Sequence, residues 1–329
     1  MYRTVQITVD NNLEVKKLEC FNIDKKIEEK SYFFNLNKIQ INLIWFSDRT
    51  NYKDWLLKAV SLIDLTTLSG DDTRSNVTKL CVKAAYPLSL KDSSTQTAAV
   101  CVYPNRVADA SDAIKKLGCS GKIQIASVAT GFPSGLYPLQ TRLLEIKLAV
   151  ANGASEIDVV LDRSLVLMGK WETLYDEVLQ MKKECGNAHL KVILGVGELG
   201  TYENVYKASM VSMMAGADFI KTSTGKEAVN ATLPVGLVMC RAIRNFYQMT
   251  GTKIGLKPAG GIKTSQDAVN WLILIYTELG SEWLTPKLFR IGASSLLSVD
   301  LLHDRRCRAL RIETDDSYCN LYHFDNLYY

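Results

Sequence analysis

The sequence predicts an α/β protein, a (β/α)8 TIM barrel with an N-terminal extension and a short C-terminal tail. Three observations carry this. Eight short β-branched or apolar runs recur between residues 58 and 303. Their starts are spaced by roughly 25–35 residues, the length of one strand, a loop and a crossover helix. The stretches between them repeat apolar residues at helical intervals. An open doubly wound sheet is the competing arrangement, but it usually holds five or six strands and leaves no place for eight.

The expected strands cover 62–67, 98–103, 123–129, 156–161, 190–196, 218–223, 253–258 and 288–293. Among the helices, 139–150 places Leu143, Leu144, Ile146, Leu148 and Ala149 at helical spacing, and 171–185, 204–215 and 268–279 follow the same pattern. Ser69, Asp71 and Asp72 read as the capped start of the helix after the first strand. The chain divides into an extension at 1–57, a barrel at 58–303 and a tail at 304–329. In the extension, 38–46 is strand-like and a helix is expected from about Asn51 into the first strand.

Composition excludes several function classes. Of 329 residues, 47% are hydrophobic and 22% charged, which is ordinary for a folded soluble protein. The net charge of +4 is small and dispersed, so nucleic acid is not an expected partner. The eight cysteines include no C-x-x-C pair and lack zinc spacing, which suits buried free thiols in a reducing compartment. Three scattered histidines and the lack of H-E-x-x-H argue against a histidine-rich metal site and a Ser-His-Asp triad. No run approaches the ~18 apolar residues of a membrane span, and the first residues lack a secretory signal, so a cytoplasmic location is expected.

Catalytic side chains of a barrel sit at the C-terminal ends of its strands. In the fourth run, period two turns Glu156, Asp158 and Val160 inward. In the sixth, Lys221 shares the inner face with Phe219; in the seventh, Lys257 shares it with Gly255. A lysine in an apolar strand must be paired or functional, because burying an unpaired charge costs several kcal/mol. Neighbouring strands lie ~4.8 Å apart, so the two amines can approach. A nearby cation favours the neutral form of an amine. A depression of ~3 pH units raises the neutral fraction at pH 7 from about 0.04% to roughly 30%. A neutral amine attacks carbonyls, and two lysines with one aspartate could form an imine and move its protons. A plain salt-bridge trio is the alternative, though one carboxylate does not neutralise two amines.

Glycine-bearing loops follow three neighbouring strands: Gly225-Lys226, Gly260-Gly261 and Gly292 with Ser294-Ser295, the serines opening a helix. Loops after the last strands of a barrel commonly hold phosphate, and glycines let backbone N–H groups approach an anion. Ordinary helix capping is the competing role for the two serines. The stretch 195–200 is formally G-x-G-x-x-G with Asp218 further on, yet it stands in the fifth unit of eight, and Glu198 would oppose a pyrophosphate.

The segments 62–68, 156–160, 218–226, 257–261 and 290–297 resemble the deoxyribose-phosphate aldolase family, over a match from about Trp55 to Leu297. Residues 68–73 look more like eukaryotic-type members. The resemblance implies a metal-free, cofactor-free class I aldolase that reversibly splits 2-deoxy-D-ribose 5-phosphate into D-glyceraldehyde 3-phosphate and acetaldehyde. It implies Lys221 as the Schiff-base lysine, Lys257 as the group that lowers its pKa, and Asp158 as the proton carrier. Asp64, Thr66 and Cys101 fall in pocket-lining segments, and Gly225, Lys226, Gly260, Gly261, Gly292, Ser294 and Ser295 would hold the phosphate. The implied partner is a small phosphorylated sugar, with room for a homo-oligomer. Val196 stands where threonine is expected and Leu256 where phenylalanine is expected, both read as retuning the pocket. The link 87–97 is short for eukaryotic-type members. Some bacterial members end in a tyrosine that reaches the active site, which would fall here to Tyr328 or Tyr329. A non-catalytic phosphate-binding barrel is the reading from another class.

Overall fold

The computed structural model describes residues 49–88 and 95–297. In chain order the elements are α1 (Arg49–Ser61), β1 (Ile63–Thr66), α2 (Arg74–Ala85), β2 (Ala99–Val102), α3 (Val107–Lys116), β3 (Gln124–Ala129), α4 (Leu139–Ala151) and β4 (Glu156–Val160). They continue with α5 (Arg163–Leu167), α6 (Trp171–Cys185), β5 (His189–Ile193), α7 (Tyr202–Met214), β6 (Phe219–Lys221), α8 (Leu233–Thr250), β7 (Gly255–Lys257), α9 (Ser265–Leu279) and β8 (Ile291–Ala293). The strands run parallel in the order β7-β6-β5-β4-β3-β2-β1-β8. Parallel bridges from Leu256 to Phe289 and from Ala259 to Gly292 bring β7 to β8 and close the barrel.

Each strand presents two faces. Ile157, Val159 and Leu161 point away from the barrel axis into the apolar layer beneath the helices. Leu256 and Val196 belong to that same outer layer. For Leu256 this corrects the expectation that it retunes the pocket: it alternates with Lys257 along β7, so an inward lysine turns its neighbour outward, whereas Val196 is buried in the turn 196–198 after β5.

Local sequence chemistry sets the helix starts. Thr201, Thr232 and Thr264 each accept a backbone N–H of the following turn, and Asp267 completes a capping box with Thr264. Helix α2 is capped by Thr73, which accepts from Asn76 N–H, instead of by Ser69, Asp71 or Asp72. Asp72 is occupied elsewhere, accepting from the Thr67 hydroxyl at 2.8 Å and from Ser69 N–H at 3.0 Å. Helix α1 runs across residue 57, the expected end of the extension, and packs on α9, where Trp55 meets Tyr276 edge to face.

The strand expected at 38–46, the tail at 304–329 with Tyr328 and Tyr329, the helix expected to follow Ser295 and most of the 87–97 link lie outside the described residues. Cys81, Cys101, Cys119, Cys185 and Cys240 are buried free thiols. No helix among the described residues is long and apolar enough to cross a membrane.

Candidate active site

The inner face of the barrel carries charge where such barrels usually stack Val, Ile and Leu. Register makes Lys221 of β6 the direct neighbour of Lys257 on β7, and Asp158 of β4 the neighbour of Lys191 on β5. The Lys221 and Lys257 amines both donate to Asp158 Oδ2, at 2.8 and 2.7 Å. Lys191 donates to Asp158 Oδ1 at 2.9 Å. All four side chains are buried.

Below this layer the network continues. Lys257 reaches Asp64 Oδ2 at 2.5 Å, and Lys191 reaches Glu156 Oε2 at 2.6 Å. Arg290, just before β8, holds Asp64 Oδ1 and Glu156 Oε1, each at 2.6 Å. Its guanidinium lies 5.7 Å from the centre of the Phe219 ring. That ring lies against Gly255, where a Cβ would fall 2.3 Å from it, so only glycine fits at this inward position of β7. At Gly292 a Cβ would press on Ala259 and come within 3.2 Å of Lys257 Cε, so this glycine makes room for the lysine stem.

The trio of one aspartate and two lysines expected from sequence is therefore incomplete. Three carboxylates, Asp64, Glu156 and Asp158, face four cations, Lys191, Lys221, Lys257 and Arg290. Lys191 and Arg290 were absent from the candidate residues, and Glu156 was seen only as inward. Lys191 carried a legible signal, since it too is a lone charge in an apolar strand. Asp64 lies fully buried among cations, below the pocket its segment was expected to line.

The surroundings push the two amines in opposite directions. Burial disfavours the charged form of both. For Lys257, Asp158 and Asp64 outweigh burial and hold the ammonium well above its ordinary range. For Lys221, burial dominates, Asp158 opposes it and the Lys257 charge adds to it, so the amine is pushed below its ordinary value. Asp158 pays burial too, yet Lys191, Lys221 and Lys257 together hold its carboxyl well below the usual range. The arrangement offers one amine poised to lose its proton beside a fixed ammonium and a fixed carboxylate.

Beside the charged residues, Cys101, Ala126, Val128, Phe132, Val160 and Ile193 form an apolar cluster, with Leu68 and Tyr103 packed against it. Burial pushes the Cys101 thiol up, so it stays protonated. Thr66, half-buried at the end of β1, donates its hydroxyl to the carbonyl two residues back, Asp64 O, at 2.8 Å.

The three glycine loops meet at one side of the mouth. Thr222 joins two of them by accepting Ala259 N–H at 3.0 Å, and Gly292 N–H donates to Pro258 O at 2.9 Å. Gly225, Gly260 and Gly261 adopt positive φ of 84°, 84° and 87°, a conformation L side chains rarely take. Lys226 N–H donates to Thr224 Oγ1, and the residue is exposed. Ser294 and Ser295 are both exposed in the bend after β8.

The G-x-G-x-x-G stretch is a packed turn. A Cβ on Gly197 would lie 2.1 Å from Val229 O, and Glu198 pairs with Arg163 at 2.5 Å. Asp218 is held by Lys182 at 2.6 Å and by Leu190 N–H at 2.7 Å.

A parallel barrel with two amines on one carboxylate is the kind of site that can form an imine with a carbonyl compound. The family of DeoC/LacD aldolases matches residues 58–293, and the chain belongs to it. It is 65% identical over 252 residues to the deoxyribose-phosphate aldolase of Mus musculus, covering 74% of this chain and 79% of the relative. It is 64% identical to that of Homo sapiens, with the same coverage. Among solved structures, the tetrameric deoxyribose phosphate aldolase of Aeropyrum pernix superposes with a TM-score of 0.58 at 26% identity, covering 75% of this chain and 94% of the other.

Proposed function

We propose that this chain is a class I aldolase that reversibly cleaves 2-deoxy-D-ribose 5-phosphate to D-glyceraldehyde 3-phosphate and acetaldehyde, through an imine on Lys221. The single observation that supports this most is the sharing of one Asp158 oxygen by the Lys221 and Lys257 amines. The high identity to mammalian deoxyribose-phosphate aldolases supports the choice of sugar.

Neutral Lys221 attacks C1 of the open-chain aldehyde, and loss of water leaves a protonated imine. The iminium draws electrons from the C2–C3 bond as the C3 hydroxyl gives up its proton. That bond breaks, D-glyceraldehyde 3-phosphate leaves, and an enamine remains on Lys221. Protonation of the enamine carbon and hydrolysis release acetaldehyde and restore the amine. Asp158 and Lys257 form the proton-carrying pair: the carboxylate accepts, and the ammonium keeps Lys221 neutral. The apolar cluster around Cys101 encloses the two-carbon fragment, with Asp64 and Thr66 supporting the first strand's end. Gly225, Lys226, Gly260, Gly261, Gly292, Ser294 and Ser295 hold the phosphate by backbone N–H groups, hydroxyls and one ammonium. The work is cytoplasmic, and a homo-oligomer is the expected assembly, as in the tetrameric relative.

The test is borohydride trapping. Incubation with deoxyribose 5-phosphate followed by reduction and peptide mass mapping should find one adduct, on Lys221, absent in Lys221→Ala. An adduct on Lys257 would reverse the two lysine roles. A folded protein giving no adduct would favour a barrel that binds phosphorylated ligands without turning them over.

A further inference from the structure

The pairing inside the barrel is uneven. Lys257 contacts two carboxylates, Asp64 and Asp158. Lys191 contacts Glu156 and Asp158 closely, with Asp64 at 3.7 Å. Arg290 holds Asp64 and Glu156. Lys221 has Asp158 alone, and shares the oxygen it uses with Lys257. Seven charged groups thus form a ladder of alternating sign, with Arg290 at the floor and Lys221 at the top.

We propose that Glu156 and Arg290, at the barrel floor, are positioning residues that set the charge count of the interior so that Lys221 is the one amine left over. Neither reaches the mouth. Glu156 lies one inward position, two residues, below Asp158 on β4. Arg290 is almost fully buried, and its Nε–H donates to Pro286 O. Three carboxylates balance three cations, and the fourth cation is the excess. The interior is electrically neutral only when one base gives up its proton. The group with the fewest counter-charges gives it up. This rests on the reading of Lys221 as the imine-forming lysine, and it extends that reading to two residues that touch no substrate.

The groups facing Lys221 are Asp158 from β4, Lys257 from β7 and the Cys101 thiol from β2, with Lys191 of β5 behind Asp158 and Asp64 of β1 behind Lys257. Glu156 and Arg290 act on it through these. Among the described residues, His189, half-exposed at the start of β5, also approaches Glu156, to 3.9 Å. Removing a floor carboxylate leaves a second excess positive charge, which favours neutral Lys221. Removing the floor guanidinium leaves no excess charge, so Lys221 can keep its proton. The two variants therefore shift Lys221 in opposite directions. At about 10 Å and an effective dielectric of about 20, one unit charge moves a titration by about one pH unit.

The experiment measures the rate of imine formation with acetaldehyde against pH, read as borohydride-trapped adduct on Lys221. In Glu156→Gln the acid limb should move about one unit down. In Arg290→Gln it should move about one unit up, so that trapping below the midpoint slows about tenfold. The double variant, which restores the count, should return toward the parent profile, as should Arg290→Lys. Two single variants that both lose rate with unmoved limbs, or that move the same way, would overturn the proposal and leave the pair a structural clamp. An unaltered protein that gives no Lys221 adduct would instead sink the imine reading itself. Should the single variants not fold, 13C-lysine NMR of the unaltered protein reads the count directly. The scheme requires Lys191 and Lys257 charged while Lys221 titrates alone, and a second neutral lysine would overturn it.

Discussion

The interior ladder and the loop cluster at the mouth handle charge by opposite means. The ladder is buried, its ions are paired except for one cation in excess, and its strand residues are fixed by register. The cluster is open, and offers backbone N–H groups, hydroxyls and the exposed Lys226 instead of a set of opposed ions. A buried charge acts strongly on its neighbours because little water screens it, whereas an exposed one acts weakly and locally. The ladder is therefore suited to changing how readily a proton leaves, and the cluster to holding a dianion that arrives and departs. The difference teaches where each mutation should be felt: in turnover and its pH dependence for the ladder, in KM for the cluster.

The hardest test of this division is Lys257→Met. The substitution keeps the volume of the stem and removes the charge that helps depress Lys221. Turnover should fall by about 10²–10³, the range of a lost acid–base partner. The sign of the pH effect is fixed. Without the Lys257 ammonium, Asp158 and Asp64 stabilise the Lys221 cation more effectively, so its pKa rises and the acid limb moves to higher pH. A uniform loss of rate with an unmoved limb would show that Lys257 acts in some other way. KM for the phosphorylated sugar should change little, because the ladder does not touch the phosphate.

At the mouth the expected pattern inverts. Lys226→Ala should raise KM for deoxyribose 5-phosphate about tenfold, the effect of one charge-assisted contact of about 1.4 kcal/mol. Turnover at saturation should stay within about twofold, and the pH limb should not move. Steady-state kinetics on both deoxyribose 5-phosphate and unphosphorylated deoxyribose reads this directly, since only the former presents the anion. Equal loss on both sugars would mean that the loop shapes the site as a whole, and the comparison would lose its second half.

How much of this was written in the sequence differs between the two faces of each strand. The outward face is encoded by short-range periodicity, so the eight strands and the helices 139–150 and 171–185 could be placed before any coordinates. The inward lysines Lys221 and Lys257 were legible because a charge in an apolar strand is locally anomalous, and Asp158 because period two puts it inside. The identity of partners was not legible. Arg290 meets Asp64 across 226 residues of chain, a contact that exists only because β8 returns beside β1. Lys191 follows the same inward alternation and is as anomalous in its apolar strand as Lys221, but its carboxylate partners come from β4 and are not adjacent in sequence. The start of α2 was misplaced for a local reason. Asp72 had the composition of a cap, but its carboxylate closes the loop onto Thr67 and Ser69, and Thr73 takes the role.

The smallest expected effect concerns stability, and it separates the ladder's top rung from the rest. Asp64, Glu156 and Asp158 are all held below their ordinary carboxyl range in the fold. Groups with depressed folded values contribute stability that is present above their unfolded values, near pH 4, and is lost as pH falls through the folded ones. The part of thermal stability due to these carboxylates should thus be flat from about pH 8 to pH 5 and decline below about pH 4. Lys221 has the other sign. Its folded value is lowered, so at neutral pH the unfolded chain binds its proton more readily than the fold does, and the residue opposes folding. Lys221→Met leaves three carboxylates opposite three cations, with Lys191 and Lys257 still on Asp158. It should abolish turnover and raise Tm at pH 7 by about 2–4 °C, the shift that ~1 kcal/mol gives in a domain of this size. Lys257→Met, which strips Asp64 of its closest amine, should lower Tm instead. If calorimetry found Lys221→Met less stable than the parent, Lys221 would be a full member of the ion network, and the top of the ladder would not be the place where the fold gives up stability for chemistry.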